Sequence, residues 1–200
     1  QAIGRAITIS KASVMPAPVA GSTEPSYSSE QERAQTAIAE FEKVAAKYGD
    51  PYRSQSQYFI AANRLLLDRP KGISELEGLT KSSVAEVATL SKFALAQAKE
   101  SDGKFDEAAQ LYADLAKQNS PTVTAETANL RLAKVYVKQG KKKEAADLLF
   151  NIVDASRKAK GSDNQPIPAS AAARRRESWR DRPRSSPCGW RLAAHVLWHF

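Results

Sequence analysis

The side chains best suited to chemistry are few, and most of them lie near the end of the chain. His195 and His199 are four residues apart, a spacing that places two imidazoles on one face of a helix, as many metal sites require. Two His do not supply the three or four protein ligands that a metal such as zinc needs. Cys188 is the only cysteine, so an internal disulfide is excluded. We therefore predict neither a metal site nor a cofactor.

Paired carboxylates occur at Glu75/Glu77 and at Asp106/Glu107. They fall on exposed helix faces or at helix starts, where acidic groups interact favourably with the helix dipole. A phosphate-binding loop, a dinucleotide fingerprint, a nucleophile elbow and an HExxH motif are all missing from the sequence. The sequence therefore predicts a protein that is not an enzyme.

Among the elements that carry these residues, the clearest is a helical hairpin over residues 90–116. Small and large apolar residues alternate there with helical spacing, and the turn falls at Asp102-Gly103-Lys104. The pattern recurs over residues 130–153, with Gly140 in the place of Gly103. A repeated hairpin predicts a solenoid, because one hairpin cannot bury its own apolar face.

A small residue marks each repeat, at Ala37, Gly72, Ala108 and Ala145, so the intervals are 35, 36 and 37 residues. Each is followed four positions later by a bulky residue. The small side chains let two helix backbones approach, and the bulky ones fill the space beside them. The predicted inter-helix packing residues are Ala37, Gly72, Ala96, Ala108, Ala133 and Ala145.

The apolar periodicity predicts an all-α fold, an α-solenoid of about seven antiparallel helices. Helices are expected over residues 31–48, 52–67, 72–80, the two halves of 90–116, the segment around residues 130–136, and 142–158. Thr124 is the expected N-cap of the sixth helix, and the Asp68-Arg69-Pro70 turn is expected to end the second.

Two segments resemble the tetratricopeptide repeats: GKFDEAAQLY from Gly103 to Tyr112, and LAKVYVKQGKKKEA from Leu132 to Ala145. The resemblance covers about residues 31–160, and it implies that the solenoid is right-handed. It implies a concave surface, lined by the first helix of each hairpin, that binds an acidic or extended peptide. The candidate peptide-binding residues on that surface are Asn63, Arg64, Gln97, Arg131, Lys134 and Lys138.

Within the repeats, the chain is similar to a bacterial envelope group, the membrane-anchored ancillary subunit of the Sec translocon. That resemblance implies a non-catalytic scaffold on the periplasmic face of the inner membrane, with translocon proteins or envelope chaperones as partners. Membrane attachment would then come only from an anchor upstream of Gln1, since no run of 18 or more apolar residues is present. The alternatives are a cell-division or outer-membrane assembly scaffold and a cytoplasmic location.

The two ends differ from the repeats. Residues 1–30 are an N-terminal segment, in which QAIGRAITI could finish a helix, followed by a Pro/Ser linker. Residues 161–200 form a basic tail with all three Trp, and its composition fits an off-frame translation, a disordered tail or a nucleic-acid contact. Of the net charge of +8, residues 160–200 carry +5 and residues 1–159 only +3. A nucleic-acid-binding module would therefore act through the tail alone, which makes nucleic acid the less favoured partner.

Overall fold

The computed structural model describes residues 2–15 and 25–159, and most of these are helical. The helices are α1 (Ala2–Ser10), α2 (Glu30–Lys47), α3 (Tyr52–Arg64), α4 (Arg69–Leu79), α5 (Ala85–Ser101), α6 (Phe105–Gln118), α7 (Ala125–Lys138) and α8 (Lys142–Ala159). The two-residue strands β1 (Ser13–Val14) and β2 (Ser26–Tyr27) pair in parallel. The chain divides into two compact units, residues 1–154 and 155–200, and the helices above lie in the first up to Asp154.

Side-chain caps fix several helix starts. Ser29 Oγ accepts a hydrogen bond from the Glu32 amide, while the Glu32 carboxylate accepts one from the Ser28 amide, so two otherwise unpaired donors are satisfied at the start of α2. Asp68 caps α4 by accepting from the Lys71 amide. Thr124 caps α7 by accepting from the Thr127 amide at 3.2 Å, which confirms the predicted cap.

Three apolar clusters hold the helices together, and each joins three consecutive elements. The first lies among α1, α2 and α3, the second among α3, α4 and α5, and the third among α5, α6 and α7. We call α1, α3, α5 and α7 the first helices and the other four the second helices. Each second helix from α2 to α6 is thus packed between its own first helix and the next one, as in a repeat protein whose units cannot bury their apolar faces alone.

The turns between α5 and α6 and between α7 and α8 are the same structure, 37 residues apart. Gly103 and Gly140 have φ values of 73° and 78°, a conformation that side-chain-bearing residues rarely adopt. The amide after each glycine reaches back to the helix, Lys104 to the Lys99 carbonyl at 2.9 Å and Lys141 to the Tyr136 carbonyl at 2.8 Å. The glycines that the sequence places in these turns are therefore required by the backbone.

The six predicted packing residues are all buried: Ala37, Gly72, Ala96, Ala108, Ala133 and Ala145. The closest approach is at Gly72. A Cβ atom there would lie 2.8 Å from the Leu65 amide nitrogen and 3.0 Å from the Ala61 carbonyl oxygen, so α4 touches the backbone of α3. Only a residue without a side chain allows this contact.

The structure departs from the sequence prediction at several helix boundaries and in the number of helices. For example, α5 begins at Ala85 rather than at Leu90, and α4 begins at Arg69 rather than at Gly72. The predicted count of about seven helices omits α1, which packs on α2 and α3 with Ala6 and Ile9 buried. Such a short helix depends on tertiary contacts rather than on its own propensity. In addition, α3 ends at Arg64 rather than at Leu67, because Asp68 and Pro70 begin α4 instead of closing α3.

Candidate functional site

Four of the six predicted binding residues share one surface, formed by α5 and α7. On α5, Phe93, Gln97 and Glu100 follow a helical spacing, and on α7, Arg131, Lys134 and Lys138 do the same. The two rows meet at both ends. The Arg131 guanidinium lies 5.9 Å from the centroid of the Phe93 ring, and Lys138 Nζ lies 2.6 Å from Glu100 Oε1. We call these six residues the α5–α7 face.

Glu100 anchors one end of this face. Its Oε1 accepts from Lys138 and its Oε2 accepts from the Tyr112 hydroxyl at 3.1 Å, and its side chain is 11% exposed. Tyr112 is fully buried, and burial together with the Glu100 carboxylate raises its pKa well above the ordinary value. The hydroxyl therefore stays protonated and keeps donating to Glu100.

The charge on the α5–α7 face is unbalanced. Arg131, Lys134 and Lys138 face a single carboxylate, that of Glu100, which is already bonded to Lys138. Lys134 is exposed and makes no ion pair among the described residues, whereas Gln97 is half-buried. An amide and a free ammonium at the middle of a face, with a cation at either end, can bind carboxylates and peptide carbonyls.

Asn63 does not belong to this surface. It is 7% exposed, and its amide nitrogen donates to the Phe59 carbonyl at 2.8 Å and to the Ser10 hydroxyl at 3.3 Å. The side chain therefore joins α3 to the carboxyl end of α1. Asn63 is therefore not available to a ligand, because its amide nitrogen already donates hydrogen bonds inside the protein.

Arg64 also lies elsewhere, since it forms ion pairs with Glu42 of α2 at 3.5 Å and with Glu75 of α4. Lys99 repeats this arrangement one unit later. Its Nζ lies 3.2 Å from Glu77 of α4 and 2.9 Å from Glu107 of α6, and its side chain is only 12% exposed. Arg64 and Lys99 are therefore equivalent cations that link a first helix to the second helices on either side of it, and Arg64 is structural.

Two open grooves flank Arg64 on the side of the second helices. One, of about 400 Å³, is lined by Gln57 and Ile60 of α3 and by Glu75 and Leu79 of α4. The other, of about 340 Å³, runs along α2 past Gln35 and Ile38. Both are lined by Glu42, whose carboxylate forms an ion pair with Arg64. The second groove is also lined by the exposed Lys71, whereas the α5–α7 face carries three cations on one helix.

The sequence patterns did not predict two serines that are buried on the first helices. Ser56 and Ser91 are both fully buried, 35 residues apart, and their hydroxyls lack a hydrogen-bond partner among the described residues. Ala128 takes the same place on α7, 37 residues after Ser91. The two serines were not predicted as core residues because serine is polar, although their spacing matches that of the predicted small residues.

Several sequence candidates lie outside the described residues. His195, His199, Cys188 and the basic tail from residue 161 onward belong to this group, so their roles stay predictions. Over residues 2–15 and 25–159, no group of three or more His, Cys, Asp or Glu could hold a metal ion. In the same ranges, none of the helices has the length and apolar character needed to cross a bilayer.

Comparison with family models, curated proteins and solved structures finds no match to this chain. The resemblance to tetratricopeptide repeats therefore stays a prediction from the sequence. What the chain shows by itself is an internal repetition of turns, ion pairs and buried small residues, and this repetition creates the surface on which a function can be proposed.

Proposed function

We propose that this protein is a non-catalytic scaffold that binds extended, acidic segments of other proteins along the α5–α7 face. The proposal includes the finer fold prediction, a right-handed solenoid of antiparallel helical hairpins, with this face on its concave side. The single observation that carries it is the pairing of the Phe93–Gln97–Glu100 row with the Arg131–Lys134–Lys138 row, held at both ends and cationic in the middle.

The geometry suggests a role for each residue of the face. Lys134 supplies the free ammonium for a ligand carboxylate, and the Gln97 amide can bond to a peptide backbone, which offers both donors and acceptors. Arg131 is held over the Phe93 ring, so its guanidinium is pre-oriented and less side-chain entropy is lost on binding. Glu100 positions Lys138 rather than meeting the ligand, because both of its oxygens accept hydrogen bonds from the protein.

We further propose an envelope role, at the periplasmic face of the inner membrane with translocon proteins or chaperones as partners. Its support is the sequence resemblance alone. A cell-division or outer-membrane assembly scaffold would use the same face in the same way. The chemistry of the face supports only the class of ligand, a protein segment rich in carboxylates.

A calorimetric titration tests the proposed face. The full chain is titrated with a short extended Glu/Ala peptide, and then with a Lys/Ala peptide of the same length. We expect binding of the acidic peptide alone, weakened by about tenfold or more when Arg131 and Lys134 are both changed to Glu, and weakened further by salt.

The matched control for this experiment changes Lys43 and Lys117 to Glu, so that both double variants alter the net charge by the same amount. Lys43 on α2 and Lys117 on α6 have side chains that are 71% and 78% exposed, and neither belongs to the α5–α7 face. An equal loss of affinity in the control would show that the effect depends on the net charge of the protein and not on the α5–α7 face. Unchanged affinity in the Arg131/Lys134 variant would refute the proposed site.

A further inference from the structure

We propose that one exposed side of α8 is a docking surface for an amphipathic helix of a partner protein. That helix has an Asp or Glu side chain at its carboxyl-terminal end. The surface, which we call the α8 surface, consists of Lys143, Ala146, Leu149 and Val153, which lie on one side of α8 by their helical spacing. It is distinct from the α5–α7 face, and docking on it does not depend on peptide binding there.

The preceding unit shows what the α8 surface lacks. Tyr112 and Ala116 of α6 stand 37 residues before Leu149 and Val153 of α8. Tyr112 is fully buried in the cluster that α7 completes with Ala128, Leu132 and Val135. In contrast, Leu149 is 39% exposed and Val153 is 48% exposed. The α8 surface therefore continues the repeat interface by one unit, and no first helix among the described residues packs on it.

A neighbouring position on α7 is open in the same way. Glu100 of α5 has a side chain that is only 11% exposed, because it bonds to Lys138 of the next first helix. Its equivalent 37 residues later is Val137, which is 52% exposed. Among the described residues, α7 and α8 thus both lack the contacts that a following first helix would make.

The charge of the missing helix can be inferred from a repeated pair. In one unit Arg69, at the start of α4, donates to Asp102 at the carboxyl-terminal cap of α5 at 2.7 Å. In the next, Asp106 in the first turn of α6 accepts from Gln139 at the cap of α7 at 2.8 Å. The third member of this series is Lys143, which is exposed and makes no ion pair among the described residues. A cation at this position selects a carboxylate, as Arg69 does.

The helices already bound in this way share one pattern. Buried small and branched residues occur at Ser91, Leu95 and Ala98 before Asp102, and at Ala128, Leu132 and Val135 before Gln139. The spacing from the first residue is therefore four, seven and eleven in both cases. The expected partner helix therefore begins this pattern with a small residue. Aliphatic or small residues follow four and seven positions later, and an Asp or Glu follows eleven positions later, at the end of the helix.

A separate protein fits this pattern better than a second copy of the chain does. In the sequence one repeat interval after α7, Ala169 stands in the place of Leu132 and Arg176 in the place of Gln139, so that segment does not carry the expected aliphatic residue and carboxylate. A second copy stacked head to tail would present α1, on which Ala2, Arg5 and Thr8 are exposed. That face offers a cation, Arg5, and no carboxylate for Lys143, so a separate protein is the better occupant.

Fluorescence anisotropy with a helix-stabilised peptide tests the proposal. The probe has the sequence Ala85–Asp102 of this chain, because that helix already pairs with a cation at the equivalent position. We expect saturable binding to the full chain and a loss of about tenfold or more in Val153→Glu and in Lys143→Glu. A probe carrying Asp102→Lys should bind Lys143→Glu better than it binds the unchanged chain.

Two controls separate this surface from other effects. Leu66→Glu replaces an apolar residue of similar exposure, 46%, at the α3–α4 turn and should leave binding unchanged. Lys134→Glu alters the α5–α7 face and should also leave it unchanged. Absence of binding to the full chain, or equal loss in Leu66→Glu, would overturn the proposal, and so would a dimer in sedimentation experiments that Val153→Glu dissociates.

Discussion

At the scale of single residues, the packing of α3 and α4 depends on the absence of one methyl group at Gly72. The change Gly72→Ala would place a Cβ atom 2.8 Å from the Leu65 amide nitrogen, so α4 must move away from α3. We expect a loss of about 1 to 3 kcal/mol in the free energy of unfolding, typical of an overpacked interior. Urea denaturation of the full chain measures it.

The same helix supplies the control for this prediction. A Cβ atom at Gly78 would have no neighbour within 4 Å. Gly78→Ala should therefore stabilise the protein by up to about 1 kcal/mol, since alanine favours the helical backbone. If the two alanine variants changed the free energy of unfolding in the same direction, α4 would not lie against the backbone of α3 as described.

At the scale of helices, the ion pairs of Lys99 join α4, α5 and α6 and should make stability depend on pH. The hydrogen bond from Lys99 lowers the pKa of Glu107 below its usual value. A carboxyl group whose pKa is lowered by folding stabilises the native state above its unfolded pKa, about 4.3, and this stabilisation is lost as the pH falls through the folded pKa.

We therefore expect Glu107→Gln to lower the melting temperature at neutral pH and to flatten its fall between about pH 5 and pH 3. Thermal melts across that range measure the effect. Glu86→Gln, which removes an exposed carboxylate from the first turn of α5, serves as the comparison. Parallel pH profiles for the unchanged chain and Glu107→Gln would show that the pair with Lys99 does not form.

Some features of the helices and their turns could be predicted from the sequence, and others could not. Gly103 and Gly140 were predictable, because a tight turn with positive φ leaves few alternatives to glycine. Arg64 was predicted together with Gln97 as a binding residue, but the two do not occupy equivalent positions in the repeat. Arg64 stands 35 residues before Lys99, which is one repeat interval, but only 33 before Gln97, and two residues rotate a helical position by roughly 200°. The contacts that fix this register lie on other helices and have no local signal.

At the scale of the whole molecule, function depends on which surface receives a ligand. Neighbouring helices share three apolar clusters, and two side-chain contacts join α5 to α7. Residues from two separate helices create the α5–α7 face, so the face could be predicted from spacing only within each helix. Phe93 and Glu100, which complete it, carry no sequence motif of their own.

The measurement that tests the α5–α7 face most directly is an amide-resonance titration of the full chain with the Glu/Ala peptide. We expect the largest shifts on α5 around Gln97 and on α7 around Lys134, and we expect them to disappear in the Arg131/Lys134 double variant. Shifts centred on Gln57 and Glu75, which line the groove beside Arg64, with none on α5 or α7, would contradict the proposed function.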